Sequence, residues 1–388
     1  MHGTRLHVAL AEARAASWLA RNDTSVAVLE REAAEFFLKS PLLAFPGAEL
    51  MELMGINDGP IHRVMQRGLL GRSGDDHKRL RRLVARSFTP RAADRWRPVM
   101  RELLSDLWHD LDGANTCEAM DAIARPFPSR MIALNVGAPV GDAPLLRDYS
   151  AILQARLDIA ALQSRRTEIE EGTAAFESYV EDLVADHVAH PREDLVSELL
   201  SVEEDGDRLV QADVVSLVIA MLSGGIDTTE NQIAHGLRLF AEYPEQWRAL
   251  ADDPSLSGAA ADEVLRFEPV GPFTVRIVRE AFTYRDIVFP VGTVMPVCTW
   301  TANREAPHDA APTEFDITAA RGKERALSFG AGPHYCLGAG LAWAELDEAF
   351  AFLAPRMREM RIDGDIEWGS PIGIYDIKSL PLAFTSRA

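Results

Sequence analysis

The sequence predicts a mainly α-helical protein with small β-sheets, folded as a single compact domain over residues 1–388. Three observations predict it. Apolar residues recur at helical spacing along most of the chain, the strand-like runs are short and concentrated late, and no internal repeat or low-complexity linker divides the sequence. Hydrophobic residues fill 47% of positions and charged ones 26%, which is enough apolar material for a large core.

Residues 1–20 mix Arg5, Glu12 and Arg14 with alanines, without the apolar stretch of a secretory signal, and read as a short, atypical segment with one helix. A strand over 25–29 follows the turn at Asn22 and Asp23, then a helix over 30–39. Residues 41–76 are expected to be an irregular functional connection, because Pro46, Gly47, Gly55, Gly59, Pro60, Gly71 and Gly74 punctuate them. Asp75 and Asp76 can cap a helix carrying His77, Leu80, Arg81, Val84 and Ala85, which Pro90 stops. Helices follow over 92–111, 128–136, 144–160 and 167–190, the last two separated by a polar bridge at 163–166. After a turn at Asp205, Gly206 and Asp207, one long helix is expected over 212–241. Beyond a helix ending at Phe267 come strands over 274–278, 282–284, 288–289 and 294–297. A helix over 341–360 and extended pieces at 372–375 and 380–384 close the chain.

With 40 basic against 59 acidic side chains the net charge is −19, which argues against nucleic acid as a partner despite the basic cluster at 77–86. Three cysteines are too few and too scattered for a disulfide framework or a zinc site, and fit a reducing cytoplasm. The apolar run 214–226 lies between Asp213 and Asp227 and is shorter than the roughly 20 residues a spanning helix needs, so no membrane is expected. His187 and His190 share a helix face near Pro191 and are read as solvated rather than metal-binding. Cys117 and Cys298 have no catalytic neighbours in sequence and are read as structural.

The chemistry concentrates in FGAGPHYCLG, residues 329–338. Gly330, Gly332, Gly338 and Gly340 let the backbone turn tightly and approach a flat ligand, and an apolar helical segment follows Cys336 at once. A thiolate held under iron needs nearby backbone N–H groups, partial dryness and a helix N-terminus. The plain alternative is a buried free cysteine in a glycine-rich turn. The whole string, with Phe329, Gly330, Gly332, His334, Cys336 and Gly338 at fixed offsets, resembles the proximal haem loop of the cytochrome P450 family. The resemblance extends over 17–384. It implies haem b (iron protoporphyrin IX), with Cys336 as the axial iron ligand and Phe329 and Gly330 in the cofactor loop.

Gly224, Gly225, Ile226, Asp227, Thr228 and Thr229 stand in the middle of the long helix. Two glycines and two β-branched threonines weaken a helix interior, each glycine costing ~1 kcal/mol against alanine. They mark either a packing notch for a crossing helix or a place where a macrocycle and a diatomic ligand come close. Under the family resemblance Gly225 borders the haem, and Asp227 and Thr228 are the acid and alcohol of oxygen activation. Dioxygen must receive two protons before its O–O bond cleaves, so Thr228 would hold the oxygen or its water while Asp227 links the site to solvent.

Other assignments rest on the same resemblance. Glu263 and Arg266, three apart on one helix face, correspond to a buried structural lock completed by a further arginine, Arg321 or Arg325, after Phe315 and Asp316. His77, Arg81, Arg276 and His334 correspond to partners of the haem propionates. Two departures stand out: Ala326 where relatives often have histidine, and Trp343 where arginine commonly faces the electron donor. Leu222, Ile226, Phe273, Thr274 and Ile374 are expected to wall the substrate pocket, with further walls from 45–70 and 157–162 and an adaptable roof at Met51, Met54 and Met65.

The implied activity is insertion of one oxygen atom of dioxygen into a small-to-medium apolar molecule, by hydroxylation or epoxidation. Terpenoid, steroid, polyketide and fatty skeletons all remain open. Electrons would come from a ferredoxin and its reductase, since no flavin or Fe–S motif is visible, and a cytoplasmic monomer is expected. The rivals are a peroxide-using or rearranging haem-thiolate enzyme, and a haem-binding or sensing protein without turnover.

Overall fold

The computed structural model describes residues 3–111, 113–204, 206–305, 312–320 and 325–387. Helices dominate, and the largest sheet has five strands in the order Leu19–Arg21, Val26–Val28, Val294–Cys298, Phe273–Val278 and Leu43–Ala44. Its pairs are antiparallel except where Val297 meets Val28 in parallel. A three-stranded sheet joins Met357–Ile362, Pro381–Ser386 and Thr116–Glu118.

Two apolar cores share the central helix. Its first half, Gln211–Gly225, buries Val214, Val218 and Leu222 against Ile132, Phe176 and Val184. Its second half, Asp227–Glu242, buries Ile233, Leu237 and Phe240 against Trp247, Val264 and Phe350. The expected single helix is therefore two, interrupted at Ile226 (φ −91°, ψ −75°), at the seam between the cores. Together Gln211–Glu242 is the one helical stretch among the described residues long and apolar enough to cross a membrane, and most of its apolar window is buried in the protein.

Elsewhere the structure corrects the sequence reading where punctuation starts an element instead of breaking it. Residues 41–76 hold helices Ala48–Leu53 and Gly59–Arg67, with Pro60 in the first turn of the second, where its missing N–H costs nothing. The last long helix spans Ala339–Leu353 and stops before Pro355, so Met357–Ile362 pairs as a strand. Residues 372–374 are bends and Tyr375 is irregular, so no strand forms over 372–375. His187 is fully buried, its Nε2 2.9 Å from Asp194 Oδ2, because the chain folds back after Pro191 and returns a carboxylate; only His190 is exposed. The amino-terminal helix Thr4–Ala16 docks through His7, which stacks on Trp300 at 4.7 Å and meets Glu268 Oε1 at 3.0 Å.

Candidate functional site

Two short turns, Leu327–Phe329 and Gly332–His334, shape the cysteine loop. Gly332 has φ +70°, and a Cβ there would lie 2.7 Å from the Leu38 carbonyl, so a side chain is excluded on both counts. The Cys336 N–H donates to the Phe329 carbonyl at 2.9 Å, and helix Ala339–Leu353 begins three residues on. Burial pushes the Cys336 thiol up, opposed by the Gly338 N–H, the Arg81 charge and the Ala339 N–H. Cys336 nevertheless keeps open surface. The two N–H groups and the Arg81 charge favour the thiolate, and burial outweighs them.

Beside it stands a cluster of basic side chains. The His77 and His334 rings lie 4.4 Å apart, Arg81 Nη2 donates to the Tyr335 carbonyl at 2.8 Å, and Arg276 Nη1 donates to the Val275 carbonyl at 3.0 Å. None of the four forms an ion pair with a carboxylate among the described residues, and His334 Nδ1 is buried without a hydrogen-bond partner. Burial, His77, Arg276 and Arg81 hold the His334 imidazole down to about 3, and burial then Arg81 lower His77. Burial alone lowers Arg276 to about 10. A buried and a half-buried guanidinium without a carboxylate among the described residues, flanked by two imidazoles that an anion would help to protonate, fit the two propionates of a haem held by Cys336.

The break in the central helix frees carbonyls that side chains take up. The Gly224 carbonyl accepts the Thr228 hydroxyl, and the Ser223 carbonyl accepts Gln154 Nε2 at 2.8 Å. Ser150 Oγ lies 3.0 Å from both the Ser223 carbonyl and Asp227 Oδ2, so its one proton has two acceptors. A protonated Asp227 would satisfy all three groups. Burial raises Asp227 to about 7 despite the Ser150 bond, and burial with the Asp227 charge raises Glu230 to about 8. Glu230 Oε2 is buried without a partner. Of the glycine pair, Gly224 borders open space, while a Cβ at Gly225 would meet Ile132 at 3.2 Å. Sequence reasoning missed Ser150, Gln154 and Glu230; only Glu230, one turn beyond Asp227, carried a local signal.

Glu263 and Arg266 form a bidentate buried pair at 2.7 and 2.8 Å. Arg266 also donates to the carbonyls of Asn303, Pro312 and Glu314, while Glu263 Oε1 accepts the Asp316 N–H at 2.9 Å. Asn303 then accepts the Leu327 N–H at 2.6 Å and donates to Ser328, which ties the pair to the cysteine loop; sequence reasoning missed both. Arg321 lies outside the described residues. Arg325 sits beside Tyr335, whose hydroxyl it helps to hold ionisable against burial. Trp343 donates to Asp262 Oδ1 at 2.9 Å with Arg97 over its ring, bracing the helices on either side.

A cavity of about 530 Å³ opens over the first half of the central helix, bordered there by Val215, Ile219, Ser223 and Gly224. Phe45, Met65, Leu69 and Leu157 close it from the segments expected to wall a pocket. The five residues expected to line it do not: Leu222 and Ile226 point into the core, and Phe273, Thr274 and Ile374 lie outside its wall. Met51 is fully buried in a separate core.

A cysteine-bearing loop, a basic cluster without a carboxylate among the described residues and a broken helix facing a cavity fit a haem-thiolate oxygenase. A match to the family described as Cytochrome P450 covers residues 256–355. The chain is 31% identical over 376 residues to luteothin monooxygenase of Streptomyces thioluteus, covering 97% of this chain and 92% of that protein. It is 30% identical to the biotin biosynthesis cytochrome P450 of Bacillus subtilis, over 84% and 82% of the two chains. The structure of P450BioI in complex with hexadec-9Z-enoic acid ligated acyl carrier protein superposes with a TM-score of 0.90 at 26% identity, covering 97% of this chain and 98% of that one. The chain belongs to the cytochrome P450 family, and it is an oxygenase with a haem-thiolate cofactor.

Proposed function

We propose that the enzyme binds haem b through Cys336 and hydroxylates or epoxidises a small-to-medium organic molecule held in the cavity above it. His77, Arg81, Arg276 and His334 anchor the propionates. The bound haem supplies reductive activation of dioxygen. Thr228 donates to the Gly224 carbonyl, so its oxygen is left to accept a hydrogen bond from a water held beside the dioxygen site. Asp227, with a carboxyl near neutrality, holds and releases the protons that O–O cleavage requires, and Ser150 orients it.

Electrons from a ferredoxin-type donor, a cytoplasmic setting and a monomeric state complete the reading. Relatives named luteothin monooxygenase and vitamin D(3) 25-hydroxylase support oxygen insertion into largely apolar skeletons. The observation that carries the proposal is the Cys336 sulfur facing backbone N–H groups beside a basic cluster that forms no ion pair with a carboxylate among the described residues. The test is the difference spectrum of the reduced protein with carbon monoxide. A strongly red-shifted Soret band is expected, lost in Cys336→Ser; a histidine-type band in the native protein would remove the reading. Thr228→Ala should then consume reductant without matching product, and unchanged coupling would remove the relay.

A further inference from the structure

Five arginines are buried among the described residues: Arg31, Arg156, Arg238, Arg266 and Arg276. Three meet carboxylates, with Arg31 3.1 Å from Glu35, Arg238 2.8 Å from Glu268 and Arg266 2.7 Å from Glu263. Arg276 belongs to the cluster that the haem carboxylates complete. Arg156 is the remaining one. It follows helix Ala143–Ala155 and borders the 530 Å³ cavity.

Its guanidinium donates to the Leu153 carbonyl, and its Nε lies 3.1 Å from the Met65 sulfur. Neither partner carries a charge. Nη2 has no partner among the described residues and is not among the sealed polar atoms, so it keeps accessible surface on a residue that borders the cavity. The acids on the cavity wall do not serve it: Glu177 is held by Arg63 at 2.8 Å and by Arg67 at 3.7 Å, and neither Glu181 nor Asp182 forms an ion pair with it. Asp227 acts on Arg156 only through its field, without contact, and burial lowers the guanidinium only to about 10, so it stays charged at neutral pH. A buried cation without a counter-charge is costly, and a planar fork of N–H donors is matched best by a carboxylate.

We propose that Arg156 reads a carboxylate on the substrate, so that the enzyme oxidises an apolar acid whose anionic end is held at the end of helix Ala143–Ala155. This rests on the cavity being the substrate site of the haem-loaded enzyme. Its volume suits one ligand of small-to-medium size, with the apolar part lying over Val215, Ile219 and Leu157.

The test compares acids with their own neutral esters in the haem-loaded enzyme, after the carbon monoxide spectrum has established thiolate ligation. Dodecanoate, a steroid carboxylate and an arylalkanoate, each paired with its methyl ester, are titrated while the spin-state change of the haem is recorded. At least one acid should bind ten-fold or more tighter than its ester, Arg156→Gln should remove that preference, and Arg156→Lys should keep part of it. If no acid outbinds its ester, or the preference survives in Arg156→Gln, the inference is overturned while the spectrum leaves the haem-thiolate reading intact. Thermal melting gives a readout independent of ligand choice. Arg156→Met should melt at or above the native temperature without ligand, since it removes an uncompensated charge; a clear drop would make Arg156 a structural helix cap and overturn the proposal.

Discussion

Around Arg266 every strong donor has a partner, whereas across the broken helix Glu230 and Arg156 are buried with polar atoms unmatched. The guanidinium of Arg266 spends all five N–H groups, two on Glu263 and three on the carbonyls of Asn303, Pro312 and Glu314. Glu230 Oε2 has no partner, and Arg156 meets only a carbonyl and a thioether. The first region fixes the loop that presents the sulfur. The second must accept a ligand and pass protons, and groups already satisfied by the protein could do neither.

The largest effect should come from breaking the satisfied side. Arg266→Ala removes the bidentate partner of the buried Glu263 carboxylate and a donor from three carbonyls, so a loss of about 3–5 kcal/mol is expected from the denaturant midpoint, together with poor haem retention. Arg266→Lys should recover little, because three donors on a flexible stem cannot replace a five-donor fork. A loss below ~1 kcal/mol in either variant would show that the lock is dispensable.

On the unsatisfied side the sign should reverse. Glu230 is raised from an ordinary 4.5 to about 8 by burial and by Asp227, with Asp376 adding to the rise and Arg125 and Arg147 opposing it. Between those values the folded protein binds more protons than the unfolded chain. Stability present below pH 4.5 is therefore lost as pH rises towards 8. Glu230→Gln stays neutral throughout, so it should match the native protein near pH 5 and exceed it by on the order of 1–3 kcal/mol at pH 8. A difference that does not change with pH would assign Glu230 to packing alone.

The same contrast decides what could be read from the sequence. The lock and the cysteine loop are local patterns: Glu263 and Arg266 share one helical turn, and Cys336 lies among its glycines within ten residues. The cavity is not local. Ser150 and Gln154 reach the Ser223 carbonyl from another helix, 73 and 69 residues away in sequence. Helix Gln211–Gly225 is apolar nearly all the way round, so nothing marked which face would be open, and Leu222 and Ile226 were natural but misplaced choices for the wall. Arg156 gave no signal at all, because an unpaired charge becomes visible only once its surroundings are known. The helices themselves were legible from periodicity. Their ends were less so where proline opened an element, as at Pro60, or closed one, as at Pro355.

The smallest expected effect separates the two sides within adjacent residues. A Cβ at Gly224 meets nothing within 4 Å, whereas one at Gly225 meets Ile132 Cδ1 at 3.2 Å. In a helix, alanine is better than glycine by up to ~1 kcal/mol. Gly224→Ala should realise most of that gain in the urea midpoint, and Gly225→Ala should fall within about 0.5 kcal/mol of native because the Ile132 methyl must move. The functional cost should run the other way: a methyl at Gly224 enters the cavity and should slow carbon monoxide association, while one at Gly225 points into the core and should leave it nearly unchanged. Equal effects at both positions would mean that the break at Ile226 does not divide a packed face from an open one.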